Sequence, residues 1–146
     1  MVIREALRSG TIAGLAMIPF AAVFRFCGLR INEYGRKTLE LLVGEVTPRL
    51  HFLLTLVQHL VISCLVAVPL LWLLNGIGDR RARLLIGTIY GAAFYVAVNS
   101  LALPFAFGDP TPWALGFGVV YPSLAIHLVY GFSVALTARP SRSPAR

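Results

Sequence analysis

Residues 84–106, LLIGTIYGAAFYVAVNSLALPFA, contain no Asp, Glu, Lys or Arg. About 20 apolar residues in a helix cross the roughly 30 Å of hydrocarbon in a bilayer, so this stretch is long enough to span one. Backbone in lipid has no water to bond to, and a helix, which satisfies its own N–H and C=O groups, is the form such a segment takes. Working outward, residues 50–74 and 113–137 are equally free of charged side chains, and residues 9–29 make a further span interrupted by Arg25 near its far end. The sequence therefore predicts an all-α fold, an integral membrane four-helix bundle that uses the chain as a single domain.

Composition agrees: 58% of the side chains are apolar and 13% are charged, more apolar and less charged than a soluble domain. Net charge of +7 is spread beside the apolar runs instead of forming one patch, which argues against nucleic acid as a partner. Arg4 and Arg8 precede the first span as they would in a signal peptide, but no small-x-small cleavage pattern follows, and a retained helix is expected. Cys27 and Cys64 lack redox or zinc spacing and read as small buried packing residues.

The one long polar connection, residues 30–49, places Leu39, Leu42, Val43 and Val46 at helical spacing between Glu40 and Glu45. This predicts a short interfacial helix lying on the membrane surface, ended by Pro48. The other connections, GIGDRRAR from Gly76 and FGDPTP from Phe107, are tight reversals. Trp72, Trp113 and Tyr34 stand near span ends as interfacial aromatics. Arg4, Arg8, Arg80, Arg81, Arg83, Arg139, Arg142 and Arg146 fall on one side. The other side mixes cations with Glu33, Glu40 and Glu45, so both termini are expected in the cytoplasm. The tail, residues 138–146, lacks an apolar run and is expected to be disordered.

Polar residues in hydrocarbon are costly unless another helix supplies a partner, so their spacing marks the inward faces. His51, Thr55, Gln58, His59 and Ser63 share one side of the second span, Thr88, Ala92, Tyr95 and Asn99 one side of the third, and Gly116, Ser123, His127, Tyr130 and Gly131 one side of the fourth. Gly10/Gly14 and Gly87/Gly91 are G-x-x-x-G pairs that permit close backbone approach. His59, Tyr95, Asn99 and His127 all fall within roughly 6 Å of their helix midpoints.

Two readings of that set stay open. In one, it is a hydrogen-bond network that holds the helices in register. In the other, His59 and His127, with Tyr95, Asn99 and Gln58 beside them, bind haem, a metal or a small ligand, or relay protons. Two histidines without a carboxylate make a poor metal site, and no cofactor is predicted. His51, next to Arg49 at a helix mouth, is expected to be solvated. Arg25 and Arg49 are candidates for contact with lipid headgroups.

Several activities lose support from what the spans lack. No span holds a carboxylate for proton-coupled export in the manner of small multidrug transporters, no paired cysteines serve disulfide chemistry, and no Ser, His and acid gather at depth for a nucleophilic triad.

The stretch LLIGTIYGAAFYVAVNSLALPFAFGDPTPW from Leu84, with IHLVYG from Ile126, resembles the YagU-like small bacterial inner-membrane proteins. The shared features are a Gly-rich third helix ending in Leu103–Pro104, a short Pro-containing loop, the aromatic Trp113, and a histidine followed by an aromatic and glycine; His59 also matches. The resemblance covers residues from about 50 to 137. It implies a four-helix fold in the bacterial inner (plasma) membrane and importance for His59 and His127, and it carries no assigned reaction. The expected role is a non-enzymatic accessory or structural component, surrounded by lipid and associating with itself or with a larger membrane complex.

Overall fold

The computed structural model describes residues 2–32 and 34–139. Among them the only regular structure is helical: α1 (Val2–Phe26), α2 (Tyr34–Val43), α3 (Pro48–Leu73), α4 (Arg80–Phe94), a π-helical segment (Tyr95–Ala102), α5 (Leu103–Phe107), α6 (Pro112–Leu115) and α7 (Phe117–Thr137). α4, the π segment and α5 run on as one rod, Arg80–Phe107, and this rod, α1, α3 and α7 are each long and apolar enough to cross a membrane. The expected four-span, all-α architecture is the observed one.

Several helix boundaries differ from expectation, each for a local reason. α1 begins at Val2, a full two turns ahead of Ser9, because Glu5 and Arg8 pair along its first turns at 2.5 Å. Pro48 opens α3 instead of closing the interfacial helix; proline is suited to a first turn, where its missing N–H has no helical partner anyway. α2 stops earlier, before Gly44, whose φ of +69° is a left-handed value natural to glycine. The fourth span is broken at Gly116, at φ +96°, so that α6 and α7 are separate helices. The tail from 140 to 146 lies outside the described residues. Ala138, at its root, is buried.

α7 is the centre of the molecule. It packs most extensively on α4 and α1, while α3 lies chiefly against α1. Half of the most apolar stretch of α7 is buried, against 17% for α3, so α3 is the helix most exposed to lipid. Lipid tails are as apolar as leucine and supply no hydrophobic drive between helices, so close van der Waals contact has to hold them. The core accordingly uses small residues: Ala6, Ala13, Ala67 and Ala135 are buried beside Leu70, Ile126 and Val134.

Glycines set the closest approaches. A Cβ placed on Gly87 or Gly131 would collide with the other's backbone, and one on Gly91 would collide with the carbonyl of His127. The α4–α7 contact is therefore nearly backbone on backbone. On the other flank, a Cβ at Gly10 would lie 2.7 Å from Cα of Cys64, and one at Gly14 2.7 Å from Oγ of Ser63. Both G-x-x-x-G pairs are working packing surfaces.

Candidate functional site

His127 stands one turn along α7 from Ser123, and its Nδ1 lies 2.6 Å from the Ser123 carbonyl oxygen. A carbonyl only accepts, so Nδ1 carries the hydrogen and donates it. The lone pair then sits on Nε2, which accepts from Nδ2 of Asn99 at 3.0 Å. Both ring nitrogens are thereby engaged. Phe94 stacks on the imidazole at 6.0 Å between centroids, and Tyr95 leans against it at 5.5 Å.

The π segment is what aims Asn99. Pro104 has no N–H to give the Ser100 carbonyl, and its ring would press on that carbonyl in a regular α-helix. The chain instead bonds one residue further back, as in Leu103 N–H to Val98 C=O. An extra residue per turn shifts the side chains that follow by about 100° relative to an unbroken α-helix.

His59 makes a different contact from the one its depth suggested. Its Nε2 lies 3.0 Å from the carbonyl oxygen of Gly14 on α1, so here Nε2 bears the hydrogen. The absent side chain at Gly14 exposes that carbonyl. One turn on, Ser63 Oγ donates to the His59 carbonyl at 2.7 Å, Tyr130 of α7 donates to the Ser63 carbonyl at 2.5 Å, and Tyr90 of α4 donates to the Val66 carbonyl at 2.8 Å. The polar interior, expected from the second, third and fourth spans alone, is thus shared with α1. Of the five candidate residues, Asn99, His127 and Tyr95 are brought together, His59 is tied to α1, and Gln58 keeps a buried Oε1 with no hydrogen-bond partner.

No family model, no curated protein and no solved structure matches the chain.

At one end of the bundle, α2 is fastened across the connection from α5 to α6. Lys37 pairs with Asp109, and its ammonium lies 5.8 Å from the ring centroids of both Tyr34 and Phe107. Those two rings stack at 5.7 Å. Tyr34 is buried in this contact and is not an aromatic facing the interface. Burial, and then the nearby Asp109 carboxylate, hold its phenol above the usual tyrosine range, so it stays protonated. Just before α2, the Asn32 N–H donates to Ser123 Oγ at 3.1 Å, which places this strap one turn from His127. A lone Asp in a loop facing cations was the signal for the Lys37 pair, and charge counting missed it.

At the opposite end, the start of α1, the α3–α4 turn and the end of α7 meet. Arg83 is 8% exposed and donates to the carbonyls of Ala138 at 2.7 Å and Ile77 at 3.4 Å. Arg8 donates to the Thr137 carbonyl, and Glu5 accepts from the Arg139 N–H at 2.8 Å. The Thr137 and Ala138 carbonyls are the unpaired last acceptors of α7. Two arginines read as topology signals are therefore also helix caps, a role that spacing alone does not reveal.

The remaining candidates lie at the periphery. Arg25 and Arg49 are exposed, in the last turn of α1 and the first turn of α3. His51 is half-buried, with Nδ1 3.5 Å from Thr55 Oγ1 and Nε2 3.8 Å from a Glu40 oxygen, so it is more enclosed than expected. Cys27 is exposed just past the end of α1, contrary to the packing role expected for it, whereas Cys64 is partly covered beside Thr11 at 3.5 Å. Among the described residues, no three His, Cys, Asp or Glu side chains gather as a metal-ligand set.

Proposed function

We propose that this chain is a non-enzymatic component of the bacterial inner membrane, an accessory or structural subunit that associates laterally with copies of itself or with a larger assembly, with both termini in the cytoplasm. One observation carries the reading: the nitrogens of His127 and Nε2 of His59 are committed to backbone carbonyls and to Asn99 at helix contacts. Imidazoles so engaged pin helices in register: His127 has both ring nitrogens occupied, and His59 keeps only its Nδ1 lone pair. The wide lipid-facing surface of α3 leaves room for a lateral neighbour. The likeness of residues 50–137 to YagU-like proteins is proposed in the same sense, as kinship with small four-helix membrane proteins.

A second reading keeps a specific support. Asn32 bonds the Ser123 hydroxyl, and His127 bonds the Ser123 carbonyl and Asn99, so polar groups lead from the α2 strap to His127; in this reading His127, with His59 apart from it on α3, binds haem, a metal or a small ligand, or relays protons. Purification from the native membrane in mild detergent, followed by mass spectrometry of companions and an optical spectrum, separates the two. The structural reading expects stoichiometric companions or self-association and no chromophore. A Soret band lost in a folded, normally assembled His59→Ala/His127→Ala variant would replace it with the ligand reading.

A further inference from the structure

α1 and α4 each pack closely on α7 and hardly on one another, so an open groove of about 470 Å³ runs between them with α7 as its floor. Small side chains keep it open: Ala16 of α1, Thr88 of α4 and Ser133 of α7 line it beside Phe20, Val129 and Phe132. Thr88 bonds its hydroxyl back to the Leu84 carbonyl at 2.9 Å, which satisfies that hydroxyl within its own helix. The volume lies within the range of about 300–1,000 Å³ usual for ligand clefts, and in a bilayer the groove faces acyl chains.

The groove leads to the end of the bundle where the arginines gather. Ser133 is one turn from Thr137, whose hydroxyl bonds the Ser133 carbonyl at 2.7 Å and whose own carbonyl accepts from Arg8. On the other wall, Arg81 stands seven residues before Thr88, on the same face of α4 and about 10 Å nearer the helix end. Arg81 is exposed, as are Arg80 beside it and Arg4, one turn from Arg8. Among the described residues at this end, Arg4, Arg8, Arg80, Arg81, Arg83 and Arg139 stand against Glu5 and Asp79. Both carboxylates are engaged, Glu5 by Arg8 and the Arg139 N–H, Asp79 by the Ala82 N–H at 2.7 Å. Positive charge is therefore in excess at the mouth of the groove, and Arg80 and Arg81 stand in a first helical turn, where the helix dipole already disfavours cations. Guanidinium groups match the oxygens of a phosphate.

We propose that the α1–α4 groove and the arginines at its mouth form a binding site for one anionic phospholipid, with an acyl chain along α7 and the phosphate at Arg80 and Arg81. An apolar groove alone does not choose a headgroup, and a cationic surface alone does not hold one molecule in place. Joined end to end they do both, as basic pockets between transmembrane helices do for acidic headgroups. The site is independent of whether the chain acts as a lateral subunit.

The test adds phosphatidylglycerol or phosphatidylcholine with identical acyl chains to the full chain in mild detergent and counts bound lipid by native mass spectrometry. One phosphatidylglycerol per chain is expected, held several-fold more tightly than phosphatidylcholine. Arg80→Gln/Arg81→Gln is expected to weaken it by roughly 10–30-fold, or about three- to fivefold for each arginine removed. Arg49→Gln, in the first turn of α3 at the other end of the bundle, is expected to leave it unchanged. In nanodiscs of the two lipids, phosphatidylglycerol carrying a diazirine in its acyl chain is expected to label residues 128–133. Equal retention of the two lipids overturns the site, and so does an equal loss in Arg49→Gln, which would mean attraction to net charge alone. Labelling spread over α3 also overturns it, as does a crosslink joining Val129→Cys of two copies, which puts a second copy in the groove. The comparison of the two lipids on the unaltered chain stands even where a variant fails to fold.

Discussion

His127 and Arg83 illustrate how differently two polar residues act in the same bundle. Hydrogen bonds between transmembrane helices average about 0.6 kcal/mol, because the separated helices also find partners. Asn99→Leu, which removes the donor to His127 Nε2, is therefore expected to lower unfolding stability by only about 1 kcal/mol in detergent micelles; a loss above about 3 kcal/mol would mean that the pair does more than hold register. Arg83 is the opposite case. It is buried against the last carbonyls of α7, and Arg83→Met strands those acceptors at a cost of about 1–3 kcal/mol. Arg83→Lys is expected to recover little of this, since one ammonium does not reproduce the fork that reaches both Ala138 and Ile77. Unfolding midpoints of the two variants, measured side by side, check that difference.

Between helices, glycine contacts outweigh these bonds. Gly131→Ala puts a methyl group into the Gly87 backbone, where neither side has a flexible end to move, and overpacking of this kind costs about 1–3 kcal/mol or more. The variant is expected to lose the α4–α7 contact, read as failure of a disulfide or chemical crosslink between those helices. Ala substitution at Gly35, where nothing lies near the added Cβ, leaves the crosslink intact. The strap α2 is held more weakly: Lys37→Glu breaks an exposed pair worth under about 1 kcal/mol, so hydrogen exchange is expected to quicken across residues 34–43 while α1, α3 and α7 stay protected. The spans were legible because uncharged runs of that length have one stable form in lipid, and the G-x-x-x-G pairs were legible because close approach needs no partner chemistry. The π segment, the break at Gly116 and the tie of His59 to α1 were not. The tie of His59 depends on what a neighbouring helix presents, since Gly14 bares a carbonyl, and helical spacing on one segment carries no information about that; the π segment and the break are local, set by Pro104 and by the backbone of Gly116 at φ +96°, and apolar periodicity does not register them.

Taken whole, the molecule brings its first residues, its α3–α4 turn and the end of α7 together at one end through Glu5, Arg8 and Arg83. Tags at the two termini are therefore expected on the same side of the membrane, and protease protection of oriented vesicles reads this directly. The account rests on polar side chains that turn inward and engage one another. Nitrogen-15 NMR of the histidine side chains in a lipid bilayer tests that most directly. The predicted result is His127 hydrogenated at Nδ1 and His59 at Nε2, each coupled to its carbonyl acceptor. Reversed tautomers, metal-shifted nitrogens, or rings showing contact only with acyl chains would contradict it.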